Sequence, residues 1–204
     1  MTDSIAGLVL AGGGSRRMGG RDKFLLQLGA RSLIDRAISR LEPQVGTLAI
    51  SANCDPAVLT AWPYPVLPDP PPAGRGPLAG VLAGLDWCAD QASHLVTVAS
   101  DTPFYPVDLA DRLIAAAGGD TETIVIAASC GRTHPVFGLW PVSIRSDLHD
   151  WLASGASLKV TDFIDSRPHR ICAFPSGPNG DPFFNINTPD DMVEAVRRAS
   201  ETAP

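Results

Sequence analysis

Basic charge is in short supply in this chain, with 16 Lys plus Arg set against 22 Asp plus Glu and a formal net charge of −6. Nucleic acid and anionic membrane surfaces need a broad positive field, so a general binder of either is excluded, and any phosphate must be met locally. Lysine is scarcer still: only Lys23 and Lys159 occur, and the other basic residues are arginine. Cysteine is sparse and scattered, at 54, 88, 130 and 172 with no CxxC pair, which excludes a zinc knuckle or a dense disulfide framework and leaves four reduced thiols. No run of about 18 apolar residues free of charge occurs, and the opening MTDSIAGLVLAGGG lacks the basic region of a secretory signal. The four histidines have no ligand spacing, and no Ser/His/Asp or Cys/His arrangement stands out. What remains is a 204-residue chain, 45% hydrophobic and 19% charged. That is enough to bury one core, so the expectation is a single cytoplasmic domain over residues 1–204.

Apolar, β-rich runs alternate with stretches of helical periodicity. Ile5 to Leu10 reads as a buried strand halted by three glycines. Ser32 to Leu41 places Leu33, Ile34, Ala37, Ile38 and Leu41 on one helical stripe. Thr47 to Ser51 and Pro65 to Leu67 read as strands, and the proline-rich segment 68–77 as a stiff loop. Leu78, Val81, Leu82 and Leu85 mark a second helix, and His94 to Ala99 a further strand broken at Asp101-Thr102-Pro103. The second half predicts helices near 108–117, 143–153 and 158–164, strands near 123–128, 170–174 and 183–186, and an apolar segment at 135–140. Thr188 caps a last helix, with Pro189 at its first position and Asp190 and Asp191 where the helix dipole favours negative charge. This alternation predicts a three-layer α/β fold with a mostly parallel central sheet.

The chemistry concentrates in LVLAGGGSRRMGGRDKFL, residues 8–25, where five glycines and four cations (Arg16, Arg17, Arg21, Lys23) follow directly on the first strand. Glycines let successive N–H groups converge on an anion that the cations neutralise, so the segment reads as a phosphate grip. It is neither a Walker A loop, since Gly20 and Arg21 stand where Lys and Ser/Thr are required, nor a dinucleotide fingerprint, since Arg17 occupies the third glycine position. Lys23 suits a leaving phosphate, because a compact ammonium can follow charge as it moves onto an oxygen. The first four strands also end in polar or flexible residues: 11–14, Ala52-Asn53, Pro68-Asp69 and Ser100-Asp101. Ligands of parallel α/β sheets bind at the carboxyl ends of the strands. Asn53 and Asp69 are therefore candidates to read a base or ribose, and Asp101 to hold Mg²⁺ beside a triphosphate.

These residues carry a resemblance. LAGGGSRRMGGRDK is similar to the signature of the molybdenum cofactor guanylyltransferases, LAGG, three variable residues, RMGG, one variable residue, DK, and every fixed position matches. GPLAG (76–80), SDTP (100–103), THP (133–135) and NINTP (185–189) resemble that family's later blocks in order. The resemblance implies a Rossmann-like nucleotidyltransferase fold in which GTP and the molybdopterin phosphate meet. By position it places GTP contacts on Leu10, Ala11, Gly12, Gly13, Lys23, Asn53, Asp69 and Asp101, with Mg²⁺ on Asp101. It assigns Arg17, Lys23 and Asp101 to catalysis, and Asn185, Asn187 and Lys159 to the pterin substrate. It further implies a nucleotide half over about 1–106 and a pterin half over about 107–204, with molybdenum-insertion proteins and molybdoenzyme chaperones as transient partners.

The reaction so implied is in-line attack of the molybdopterin phosphate on the α-phosphorus of GTP, with GMP transferred and pyrophosphate released. The rival readings are a molybdopterin cytidylyltransferase or a sugar- or alditol-phosphate nucleotidyltransferase, and, outside catalysis, a nucleotide-binding regulator or adaptor. Intact Lys23 and Asp101 argue against the last of these.

Overall fold

The computed structural model describes residues 4–12, 22–71 and 74–201. Its centre is a seven-stranded sheet. It is built from β1 (Ile5–Leu10), β4 (Thr47–Ser51), β5 (Val66–Leu67), β6 (His94–Ala99), β7 (Ile124–Ser129), β8 (Arg132–Pro141) and β9 (His169–Ala173), while β2 (Gln27–Leu28) and β3 (Arg31–Ser32), between β1 and β4 in the chain, form a separate short hairpin. The spatial order is β5-β4-β1-β6-β8-β7-β9. All pairings are parallel except those of β8, which runs against both β6 and β7. The central sheet is therefore mostly parallel, as the run of buried apolar strands predicts.

Helices cover both faces. On one lie α1 (Leu33–Leu41) and α3 (Leu109–Ala117), whose Ile34, Ile38, Leu109 and Leu113 pack with Val9, Ile50 and Val98 of the sheet. On the other lie α2 (Pro77–Cys88), α4 (Arg145–Ala153) and α5 (Val160–Asp165), where Leu78, Leu85, Leu148 and Phe163 pack with Leu8, Ala49 and Trp140. Helix α6 (Pro189–Glu201) sits apart: Ala195 joins Leu28, Leu33 and Ile186 in a small third cluster over the β2–β3 hairpin. Among the described residues no helix is long and apolar enough to cross a membrane, and all four cysteines are free thiols.

Two glycines let α2 lie close on the sheet. A Cβ at Gly84 would stand 2.7 Å from Leu8 Cδ2 and Leu95 Cδ2, and one at Gly80 would stand 2.6 Å from Ser51 Oγ and 2.7 Å from Leu10 Cδ2. Only a hydrogen fits at either position. The register is level at the same edge, since Leu10 faces Ser51 on one side and Ala99 on the other, while Ser51 faces Leu67. The residues that follow β1, β4, β5 and β6 consequently leave the sheet side by side.

One expectation from sequence is corrected, one is extended and one element was missed. Phe183 to Ile186 is not a strand: Asp181 Oδ1 accepts the Phe183 N–H at 2.9 Å and the Asp181 carbonyl the Phe184 N–H at 3.3 Å, which turns the chain before a ladder can form. The apolar segment 135–140 is the inner part of the longer β8, which returns antiparallel from β7 through the tight turn at Cys130 (φ 49°) and Gly131 (φ 72°). The β2–β3 hairpin was not legible, because two-residue strands have too few positions to show alternation.

Candidate functional site

The level strand ends build a cavity of about 310 Å³ lined by Leu10 at the end of β1 and Gly12 beyond it, Ser51 at the end of β4 and Asn53 beyond it, Asp69 after β5, Gly74 and Gly76 before α2, and Pro77 and Gly80 in its first turn. Gly76 takes φ +70°, a conformation that suits glycine, and turns the chain into α2 with Pro77 at its first position. Pro77 has no N–H and the Ala79 N–H donates to the Gly76 carbonyl at 3.1 Å, so the start of α2 presents the positive end of its dipole to the cavity, which favours an anion or an acceptor edge. Asn53 Oδ1 accepts the Asp69 N–H at 2.9 Å. That bond orients the amide so that its two N–H donors remain for a ligand, and it ties two neighbouring strand ends into one wall.

A smaller cavity of about 140 Å³ adjoins through Gly12, and is lined further by Ala11, Lys23, Phe24, Ser100, Asp101 and Asn187. Here Lys23 Nζ donates to Asp101 Oδ2 at 2.6 Å and to Asn187 Oδ1 at 2.8 Å, with the Lys23 side chain only 14% exposed. Phe24 explains that placement: it is buried in the core beneath the short 3-10 turn Lys23–Leu25, so the preceding lysine is delivered to the edge. Asp101 follows β6, its carbonyl accepting the Ile186 N–H at 2.9 Å and its Oδ1 the Thr102 hydroxyl at 3.3 Å.

Asn187 is held from the other side by α6. Thr188 Oγ1 accepts the Asp191 N–H at 3.2 Å, while Asp191 Oδ2 accepts the N–H of Thr188 and of Asn187, each at 2.8 Å. This is a capping box with one extra backbone bond, and it supports the sequence reading of Thr188 as the cap. The Asn187 N–H bond first, then the Thr188 bonds and the nearby Lys23 charge, hold the Asp191 carboxyl below its ordinary value against a partial desolvation cost.

The structure therefore brings Leu10, Ala11, Gly12, Lys23, Asn53, Asp69, Asp101 and Asn187 to one edge. Asn185 is exposed and lines neither cavity. Lys159 is exposed just before α5 and also lines neither, although the carbonyl of its neighbour Leu158 lies 3.9 Å from where a Gly76 Cβ would stand. Gly13 and Arg17 lie outside the described residues. Ser51 and Gly76 were not singled out individually from sequence. Gly76 and Gly80 open and close the GPLAG block, which was the available signal; for Ser51, buried in an apolar strand, there was none.

Among the described residues no cluster of three or more His, Cys, Asp or Glu side chains converges as a complete metal cage. The donor chemistry nevertheless fits a hard divalent cation that takes most of its ligands from substrate phosphates. Asp101 and Asn187 offer two oxygens that already converge on one positive charge, the Lys23 ammonium.

A level edge of parallel strands, a glycine-bordered cavity and an adjoining lysine–carboxylate pair define the class as a nucleotidyltransferase-type α/β fold. Residues 7–169 match the MobA-like NTP transferase domain, and the chain belongs to that family. A Mesorhizobium japonicum protein named molybdenum cofactor guanylyltransferase is 47% identical over 201 residues, covering 97% of each chain. One of the same name from Rhizobium johnstonii is 49% identical over 95% of this chain and 92% of its own. The crystal structure of molybdopterin-guanine dinucleotide biosynthesis protein A from Archaeoglobus fulgidus superposes with a TM-score of 0.78 at 20% identity, over 97% of this chain and all of that one. A Mycobacterium tuberculosis protein solved in complex with manganese has a TM-score of 0.72 at 17% identity, again over 97% of this chain and all of its own.

Proposed function

We propose that this chain transfers GMP from GTP to the terminal phosphate of molybdenum-molybdopterin, giving the molybdopterin guanine dinucleotide cofactor and pyrophosphate. The observation that carries this reading is the pair of cavities sharing Gly12. One has the walls for a nucleoside in Asn53, Asp69 and the start of α2; the other has the polar groups for a reacting phosphate in the charged Lys23 and Asp101 and the Asn187 amide. The name carried by relatives 47–49% identical over nearly the whole chain supports guanine and molybdopterin as the substrates.

The leading strand end and Gly12 receive the nucleotide, while Asn53 N–H groups, the Asp69 carboxylate and the start of α2 meet the base and ribose. The acceptor's phosphate oxygen forms a bond to the α-phosphorus as the bond to pyrophosphate breaks. An ionised phosphate is already a nucleophile, so the residues need only align the two and neutralise charge. Lys23 neutralises the departing pyrophosphate, joined by Arg17 and the Gly13 amide of the glycine-rich loop. Asp101 and Asn187 are the groups that would hold Mg²⁺, which when bound neutralises phosphate oxygens as a Lewis acid. Residues to about 106 serve the nucleotide, and residues from about 107 the pterin, with Asn185 and Lys159 on that side. The whole acts as one domain in the cytoplasm.

The test is pyrophosphate release by the purified protein with Mg²⁺, molybdenum-molybdopterin and GTP, ATP or CTP. Each missed buried hydrogen bond costs about 1–3 kcal/mol, so GTP should be preferred by a few hundredfold or more. Asp101→Asn should fold and lose activity by several orders of magnitude. Equal rates with GTP and CTP would overturn guanylyl transfer, and no release with any nucleotide would overturn the enzyme reading.

A further inference from the structure

The block Thr133-His134-Pro135 plays no part in the reaction above, yet its histidine sits in a buried polar cluster away from both cavities. Ser129, at the end of β7, and His134, in β8, are 4% and 9% exposed. Ser129 Oγ lies 2.8 Å from His134 Nε2 and donates to Asp181 Oδ1 at 2.5 Å. The carboxylate accepts only, so the serine proton is committed to Asp181. The serine oxygen must then accept from His134, which makes the histidine an Nε2–H tautomer. In this order the carboxylate sits on the serine rather than on the histidine and the imidazole donates to the serine oxygen, so His134 is not the general base of a nucleophilic relay. Burial pushes the His134 imidazole below its ordinary value; the Asp181 charge opposes this, the smaller effect of Arg132 adds to it, and the net shift favours the neutral ring.

The cluster grips the segment that follows. Asp181 Oδ1 also accepts the Phe183 N–H at 2.9 Å, and the Phe183 ring stacks on His134 with centroids 4.6 Å apart. Phe137 and Phe174 meet the same ring edge-on. Three residues later Ile186 is pinned to the Asp101 carbonyl, and Asn187 accepts from Lys23. We infer that Asp181, joined through Ser129 to His134, is a positioning residue: it sets where residues 183–187 cross the sheet edge, and so holds the Asn187 side chain on Lys23. The consequence for turnover rests on guanylyl transfer being the reaction; the consequence for Lys23 does not.

The scarcity of lysine makes this measurable. Lys23 and Lys159 alone supply lysine signals, so selective ¹³C labelling gives two Cε resonances, assigned with Lys159→Arg. In Asp181→Ala the Lys23 resonance should move toward that of a solvent-exposed lysine while Lys159 stays put. In Asp181→Asn, which keeps an Oδ1 acceptor for Ser129 and Phe183, it should remain near the wild-type position. Ser129→Ala, a smaller change to packing, should reproduce the alanine effect in part and serves if Asp181→Ala fails to fold. In the pyrophosphate assay Asp181→Ala should lower kcat about tenfold, because Ile186 and Asp191 still restrain the segment and misplacement stays partial. Its KM for GTP should stay within about twofold, since the nucleotide walls are untouched. A Lys23 resonance unmoved in both Asp181→Ala and Ser129→Ala would overturn the inference. Absence of pyrophosphate release in the wild type would instead overturn the reaction and leave the resonance to decide the positioning role.

Discussion

Single atoms decide the larger cavity. Gly80 is the plainest case, because α2 approaches the sheet only while that position lacks a Cβ. Alanine would improve helix propensity by about 1 kcal/mol, yet its methyl would fall 2.6 Å from Ser51 Oγ and 2.7 Å from Leu10 Cδ2, both of which line the cavity. Overpacking of this kind costs about 1–3 kcal/mol, so the clash wins. Gly80→Ala should lower the denaturant midpoint and weaken GTP binding together, as read by urea unfolding and calorimetric titration. Adding Ser51→Ala, which removes the nearer obstacle, should recover part of both. Asn53 shows the opposite device, in which one side-chain oxygen spent on the Asp69 amide leaves the donors aimed at a ligand.

At the scale of elements, the start of α6 serves the fold and the site at once. The Asp191 carboxylate caps the helix and fixes the Asn187 backbone whose side chain meets Lys23. Asp191→Ala should cost about 1 kcal/mol, the ordinary loss for a helix cap. Its effect on pyrophosphate release should exceed what that small loss of stability explains, because Asn187 loses its backbone anchor. Comparing the unfolding midpoint with kcat at a temperature where the variant remains folded separates the two. Helix α1 is capped in the same way by Ser32 and Asp35, where desolvation raises the Asp35 carboxyl but hydrogen bonds from Ser32 and from the Trp62 indole outweigh it and leave it lowered. Equal capping chemistry at the two ends thus has unequal consequence: only the α6 cap lies beside Lys23.

Over the whole molecule the buried His134 contributes a pH response. His134 titrates below its ordinary 6.5 in the folded state, so above that pH both states are neutral and its contribution to stability is constant. As pH falls below 6.5 the unfolded chain takes up the proton first, and stability declines until the folded value is reached. A second decline follows from Asp191, whose lowered carboxyl supports the fold above its ordinary 3.8 and loses that support as pH drops through the folded value. Urea midpoints measured from pH 8 to 4 should therefore begin to fall near pH 6.5. His134→Gln, which keeps a donor toward Ser129 without a titrating ring, should flatten this first decline. An unchanged profile in that variant would assign the decline to another group.

The amino-acid sequence by itself determined the strand ends and the chemistry on them. Gly12, Asn53, Asp69 and Asp101 follow short apolar runs that read as strands, and the Thr188 cap follows from side-chain chemistry within four residues. Local physics suffices for such features, because periodicity and capping act over one or two turns of chain. The tertiary structure alone decided the direction of β8, since a strand buried on both faces has the same hydrophobic pattern read either way. It alone turned 183–186 into an irregular crossing, since the bonds that bend it come from Asp181 and tie back to Ser129, 52 residues earlier. The bond from Lys23 to Asn187 spans 164 residues, and no spacing or period in a sequence records a hydrogen bond whose partners meet only after the sheet has been ordered and α6 has been laid across its edge.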